Sequence, residues 1–163
     1  MKLTFTALTL VATAILAAGC GQNSPASASA GGAAPPAPRE VDITANDTMH
    51  YDVTAIQAKP GEQLRVVLTN TGTIGLPAMG HNWVLLKAGS DAAAFSAAAS
   101  TSAATNYGPA SLQDEVLAKI DLLGPRKSGE ADFAAPATPG DYPYLCTFPA
   151  HYMVGMHGIL TVK

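Results

Sequence analysis

Residues 142–163 read YPYLCTFPAHYMVGMHGILTVK, in which two short β-type runs enclose a loop rich in sulfur and histidine. The first run ends at Cys146 and the second covers 158–163, so residues 147–157 form the loop of a β-hairpin. A loop held at both ends by strands can turn Cys146, His151 and Met156, spaced C-x4-H-x4-M, toward one point. Thiolate, imidazole and thioether groups bind soft and borderline metal ions. The stretch therefore predicts a metal site on a hairpin, with a catalytic Cys–His pair as a second interpretation.

The preceding residues contain further β-type runs, separated by turn signals such as KPG at 59–61. These runs are VDITA (41–45), MHYDVTAI (49–56), QLRVVLT (63–69), HNWVLLK (81–87), EVLAKIDL (115–122) and GEADFAA (129–135). Several short strands with turns between them predict an all-β fold, a Greek-key β-sandwich.

An alanine-rich segment at 89–113 departs from this β pattern. Ser90 and Asp91 are placed as N-terminal caps, and we expect one short helix over about 91–99. The helix would lie over the sandwich as a flap. A disordered low-complexity insert is the alternative interpretation.

The N-terminal region indicates export and a lipid anchor. Residues 1–19 combine Lys2 with an apolar run that ends in small residues directly before Cys20, as in a lipoprotein signal peptide. Residues 20–40 are rich in Ala, Pro, Ser and Gly, which predicts a flexible tether behind a lipidated Cys20. An ordinary secretory signal is the alternative. We expect one folded domain over 41–163, held near a bacterial membrane on its periplasmic or outer-surface side by the lipid and the tether.

The net charge and the number of cysteines limit the classes of function that fit this chain. Without residues 1–19 the chain carries 8 basic and 12 acidic residues, a net charge of −4 that gives no case for nucleic acid binding. If Cys20 is acylated, Cys146 has no cysteine partner. A single thiol outside the cytoplasm needs burial or a bound metal. We expect a monomeric domain.

A fourth metal donor must come from elsewhere in the chain, and the candidates are His50, His81 and His157. His81 is favoured because it stands where a glycine-rich loop enters the most apolar predicted strand. Gly80 before it allows close backbone approach. Two imidazoles, one thiolate and a distant thioether are the donors of a type 1 copper site, which exchanges single electrons between Cu(I) and Cu(II).

Four segments resemble the cupredoxins, the small blue copper proteins, and most closely the azurins and auracyanins. They are VDITANDTM (41–49), MGHNWVL (79–85), VLAKIDLLGPRKSGEADF (116–133) and CTFPAH (146–151). The resemblance implies that His81, Cys146 and His151 are equatorial ligands of one copper ion. It further implies an axial Met156, a distant carbonyl contact from Gly80, a loop-tying role for Asn82 and a water-excluding role for Phe148.

The sequence departs from the azurin pattern at three points. Ala150 stands where glycine is usual, and the usual axial position is occupied by Gly155, with Met156 one residue later as in auracyanins. Met153 is the alternative axial donor, but its spacing from His151 favours a surface position. The disulfide of azurins has no cysteines here, which predicts lower stability than in a disulfide-bearing relative.

If the copper site is as described, we expect His151 to present its ring edge to solvent within a small, uncharged apolar patch that suits brief docking with redox proteins. This docking patch comprises Leu76, Pro77, Met79, Phe148, Pro149, Ala150 and Met153.

Other functions fit the residues less well. A thiol enzyme would use Cys146 with a histidine base, but the methionines contribute nothing to acyl transfer. A multicopper enzyme needs more than four histidines, and a binuclear copper site needs two cysteines in one loop. Zinc accepts the same N and S donors but gains little from a thioether. A copper chaperone of the same fold remains the alternative to an electron carrier.

Overall fold

The computed structural model describes residues 37–163. The predicted signal peptide, Cys20 and the tether up to residue 36 lie outside the described residues. Within 37–163 the elements are β1 (Arg39–Ala45), β2 (Ala55–Ala58), β3 (Gln63–Asn70), β4 (His81–Leu86), α1 (Ala92–Ser100), β5 (Val116–Leu123), β6 (Ser128–Ala134), β7 (Gly140–Leu145) and β8 (His157–Val162).

The strands form two sheets, one in the order β1-β3-β6 and the other in the order β2-β8-β7-β4-β5. Burial alternates along β3, so that Leu64, Val66 and Leu68 face the core while the residues between them are partly exposed. Trp83 and Leu85 of β4 belong to the same core cluster. Such alternation is expected where one face of a sheet packs on the other sheet. The predicted all-β sandwich with a helical insertion is confirmed.

The strand predicted for 49–56 is wrong. Met49 has a left-handed φ of 58° and its N–H bonds the carbonyl of Asn46, so the chain turns there. Only an isolated bridge joins Ala45 to Tyr51 before β2 begins at Ala55. The alternating pattern of this segment comes from a turn followed by a short strand.

The first strand begins at Arg39, two residues before the predicted start. Arg39 pairs with Leu64 in the parallel β1–β3 register. Its guanidinium also bonds the Glu62 carboxylate and the Gln57 carbonyl, each at 2.6 Å. Residues 39 and 40, assigned above to the tether, therefore lie in β1.

The alanine-rich segment folds as predicted for its first part. The Asp91 carboxylate accepts hydrogen bonds from the N–H groups of Ala93 and Ala94, both at 3.0 Å, and caps α1. Phe95 is buried and packs with Val84. Two 3₁₀ turns, Ala103–Thr105 and Ala110–Glu115, then lead to β5. The segment is a flap across the sheet, and among residues 37–163 no helix has the length and apolar character to cross a membrane.

The sheet order brings the predicted ligands to one end of the molecule. β4 runs antiparallel to β7, and β7 runs antiparallel to β8. The start of β4 at His81, the residue after β7 at Cys146 and the residue before β8 at Met156 therefore lie at the same end. These three strands lie next to one another in the larger sheet, so the end is held by paired backbone on both sides.

Candidate metal centre

His81, Cys146 and His151 form a buried cluster of three donors. Their ligand atoms all lie within 4.8 Å of one another. His81 and Cys146 are 0% exposed and His151 is 2% exposed. Neither ring nitrogen of His81 has a hydrogen-bond partner. Burying a polar nitrogen without a partner is costly, and a metal ion at this point would supply the missing interaction.

Burial keeps the three donors uncharged. The pKa of the Cys146 thiol is raised to about 12 by burial, against a smaller opposing effect of the Asn82 and Phe148 N–H groups. The pKa of His151 is lowered to about 4, first by burial and then by the neighbouring His81. Burial also lowers the pKa of His81. Cys146 Sγ lies 3.4 Å from His151 Nδ1, and burial disfavours the charged form of both groups.

Met156 lies inside the protein and Met153 at the surface. Met156 is 0% exposed, whereas Met153 is 85% exposed. The Met156 N–H bonds the His151 carbonyl at 3.0 Å, and the Met156 carbonyl accepts from the Cys146 N–H at 3.1 Å. Gly155 has a φ of 103°, a left-handed conformation that glycine adopts without strain. The loop thus directs Met156, and not Met153, to the interior.

Gly80 allows the chain to pass close to Cys146. A Cβ atom at this position would lie 2.6 Å from Leu76 Cδ2 and 2.9 Å from Leu122 Cδ1, closer than carbon atoms approach. The Gly80 carbonyl oxygen lies 4.0 Å from Cys146 Sγ. Any larger residue would displace the apolar side chains that cover this backbone.

Asn82 ties the His81 strand to the Cys146 loop. Its amide donates to Thr147 Oγ1 at 2.6 Å and its carbonyl oxygen accepts from the Thr147 N–H at 2.8 Å. The buried Tyr51 hydroxyl donates to the backbone carbonyl of Asn82. Sequence reasoning named Asn82 but missed Thr147 and Tyr51. Thr147 could have been predicted, because its hydroxyl stands next to the ligand Cys146. Tyr51 could not, because it lies in the segment that was wrongly predicted to be a strand.

Aromatic rings cover His151. Its ring lies 5.0 Å from that of His81 and 4.8 Å from that of Phe148, measured between centroids. Phe148 in turn meets Tyr107 at 5.0 Å with an interplanar angle of 64°. The expectation that His151 presents its ring edge to solvent is wrong, because these rings leave it 2% exposed. Tyr107 was not predicted, since nothing in an alanine-rich insertion points to the metal loop.

Residues 37–163 match the copper binding proteins of the plastocyanin/azurin family. The chain belongs to this family.

Its relatives in the plastocyanin/azurin family include auracyanins and azurins. Auracyanin-B of Chloroflexus aurantiacus is 37% identical over 119 residues, which cover 72% of this chain and 49% of the relative, about half of its length. An azurin of Achromobacter denitrificans is 32% identical over 127 residues, covering 76% of this chain and 84% of the relative. The structure of a reduced auracyanin from Roseiflexus castenholzii matches with a TM-score of 0.68 and 34% identity, covering 78% of this chain and 99% of that one.

Family and donor set together identify the cofactor of this plastocyanin/azurin protein as one type 1 copper ion. The site fits the ion, because it offers two imidazoles and a thiol within 4.8 Å and an unpaired buried His81 ring. Bound copper supplies a one-electron couple between Cu(I) and Cu(II).

The other two candidate histidines of this family member lie outside the cluster. Both are exposed. His50 Nδ1 lies 2.6 Å from the Thr48 carbonyl oxygen, and the His157 ring packs on Tyr152 at 4.8 Å between centroids. Neither joins the group of donors around Cys146.

The predicted patch residues differ in exposure. Leu76 is 47% exposed and Met153 is 85% exposed, and Pro77 and Ala150 are also at the surface. Met79 and Pro149 are half-buried. Phe148, at 7% exposure, lies beneath them. Ala150 has a left-handed φ of 70°, which explains why glycine is usual at this position in the azurin pattern.

Proposed function

We propose that this chain is a membrane-tethered electron carrier that shuttles single electrons between redox proteins outside the cytoplasm. The observation that carries the proposal is the cluster of His81, Cys146 and His151, whose donor atoms lie within 4.8 Å of one another at 0–2% exposure. Donors held by strands move little when the copper charge changes, and a low cost of rearrangement favours fast electron transfer.

The ligand roles follow from position and burial. His81, Cys146 and His151 would hold the copper ion, since they are the three clustered donors. Met156 would be a further ligand, because it is buried and its backbone bonds both His151 and Cys146. The Gly80 carbonyl, 4.0 Å from Cys146 Sγ, would be a distant fifth contact.

Two features would hold these ligands in place. The double hydrogen bond between Asn82 and Thr147 joins the loop that follows β7 to the start of β4. Phe148 would keep water from the ligand ring that it covers, His151. Partners that orient metal ligands and shield them from solvent tune both the affinity and the potential of a site.

The docking patch defined above would receive the redox partner. Its exposed members carry no charge, which suits brief contact and fast release. The His151 ring lies 4.8 Å from the ring of Phe148, a member of the patch, so a partner seated there would be close to a copper ligand.

Burial of the donors favours a carrier over a copper chaperone. A chaperone passes its metal by letting an acceptor's ligand attack the bound ion, which requires access to the site. Here Cys146 and His81 are 0% exposed. The same burial, with a thiol pKa of about 12, argues against a nucleophilic cysteine and therefore against an enzyme of that class.

A lipid on Cys20 would place the domain near the membrane after removal of residues 1–19, with residues 20–40 as the tether and 41–163 as the copper domain. The support is the sequence pattern of small residues before Cys20. Cys20→Ser should abolish labelling by a fatty-acid analogue and release the protein from the membrane fraction. Retention of the variant in membranes would contradict the anchor.

Electron self-exchange tests the proposed function. Met153→Glu places a charge on the patch at an 85% exposed position, where folding is not at risk. Gln57→Glu places the same charge at exposed Gln57 on β2, near the end of the sandwich opposite the copper loop. NMR line broadening in mixtures of Cu(I) and Cu(II) protein should show slower exchange for Met153→Glu alone. Equal rates for both variants and the unmodified protein would contradict docking through the patch.

A further inference from the structure

Two consecutive residues of the flap, Asn106 and Tyr107, adopt left-handed backbone conformations. Their φ values are 53° and 60°. Asparagine tolerates this region, but it is unusual for a bulky residue such as tyrosine and persists only where the surroundings enforce it. The flap bonds its own backbone here: the Tyr107 N–H donates to the Ser102 carbonyl at 3.0 Å, and the Gly108 N–H donates to the Thr105 carbonyl at 3.1 Å.

This turn aims the Tyr107 ring at the metal loop. Tyr107 meets Phe148 edge-on at 5.0 Å, and Phe148 lies 4.8 Å from His151. His151 lies 5.0 Å from His81. A row of four rings therefore leads from half-buried Tyr107 to the innermost ligand. Edge-to-face contact is the favourable geometry for two aromatic rings at this spacing.

A cavity with a volume of 290 Å³ borders Phe148. Its walls include Tyr107, Phe148, Leu76 and Leu122. The cavity leaves room for the Phe148 ring to swing away from His151. Tyr107 and Phe148 both line this cavity, and the Tyr107 ring meets Phe148 edge-on at 5.0 Å, so Tyr107 limits that movement.

We propose that Tyr107 is a positioning residue of the copper centre, whose ring edge holds Phe148 over His151 and keeps water from that ligand. The inference rests on the proposed copper function and deepens it, because it assigns the flap a part in the site. The flap is then more than a cover for the sheet: its strained turn completes the shield over the ligand that lies nearest the surface.

The first test uses the apoprotein. Tyr107→Ala removes the ring, Tyr107→Phe keeps it, and Tyr152→Ala removes another half-buried tyrosine ring, which packs on His157 instead. In NMR spectra of protein labelled at phenylalanine, Tyr107→Ala should shift the Phe148 ring signals and speed its ring flips. Tyr107→Phe and Tyr152→Ala should leave both unchanged. Unchanged Phe148 signals in Tyr107→Ala would overturn the proposal.

The second test measures copper retention by the loaded protein against a chelator. Loss of a group that shields or orients a ligand typically weakens metal binding by about 10- to 100-fold. Tyr107→Ala should release copper faster by about that factor, and Tyr107→Phe should restore retention. Equal release from Tyr107→Ala and the unmodified protein, or failure of Tyr107→Phe to restore it, would overturn the proposal.

A third variant separates this role from a general loss of folding. Tyr107→Leu keeps apolar volume without a ring edge, and it should fold yet behave like Tyr107→Ala in both tests. If Tyr107→Leu matches the unmodified protein, bulk alone suffices and the role of the ring is refuted. If no variant takes up copper with a blue colour, the proposed function fails, while the apoprotein spectra still decide the position of Phe148.

Discussion

His151 shows how burial sets the chemistry of a single side chain. Its ring lies under Phe148 and beside His81, and this burial lowers its pKa to about 4. Near neutral pH it is therefore a neutral imidazole, the form that binds a metal ion. Burial shifts the pKa of the Cys146 thiol in the opposite direction, up to about 12. The thiol therefore gives up its proton only when a metal cation takes the proton's place.

The lowered pKa of His151 makes the apoprotein unstable in acid. The folded pKa of about 4 lies below the ordinary histidine pKa of 6.5, so between these values the unfolded chain binds more protons. The stability that neutral His151 contributes is fully present above pH 6.5 and is lost as the pH falls through 4. The free energy of unfolding of the apoprotein should therefore fall as the pH falls over this range.

Urea unfolding of the apoprotein at several pH values measures this loss. His151→Gln lacks the titrating ring and serves as the control, because its stability should fall less between pH 6.5 and 4. His81 contributes in the same direction and remains in both proteins. Parallel pH profiles for the two proteins would show that His151 is not buried in its neutral form.

At the scale of elements, the hairpin of β7 and β8 and the start of β4 carry the donors, while the flap carries the shield. The flap depends on α1, a helix of nine residues that begins at an Asp91 cap. Isolated helices of this length are marginal in water, so the cap and the burial of Phe95 matter.

Removal of the cap should loosen the flap. Asp91→Ala leaves the N–H groups of Ala93 and Ala94 without their side-chain acceptor and should cost about 1 kcal/mol in the free energy of unfolding. Ser90→Ala, at a neighbouring residue that does not cap the helix, should cost much less. Chemical denaturation of both variants checks the difference, and equal stabilities would show that the Asp91 cap does not hold α1.

Local patterns in the sequence predicted the elements that carry the ligands, and missed those that depend on distant contacts. The C-x4-H-x4-M spacing and the apolar run after His81 are local features, and strand order then brings them together. The turn at Met49 and the contact of Tyr107 with Phe148 depend on how separate segments fold against each other. The burial of His151 follows from that same contact and could not be predicted from its loop alone.

At the scale of the whole molecule, the two sheets form a rigid frame, and the metal-binding side chains lie at one end of it. The core includes Trp83 and Leu85 of β4, close in sequence to His81, so the strand that positions this ligand is also anchored in the interior. The central claim is that this end holds one copper ion that gains and loses a single electron without leaving the protein.

Spectroelectrochemical titration of the copper-loaded protein tests that claim most directly. The account predicts an intense blue thiolate-to-copper band that disappears after one electron per protein and returns on oxidation, with the copper retained. Cys146→Ser should lack the band at every potential. A colourless Cu(II) protein, or copper lost during the cycle, would contradict a type 1 electron-transfer centre.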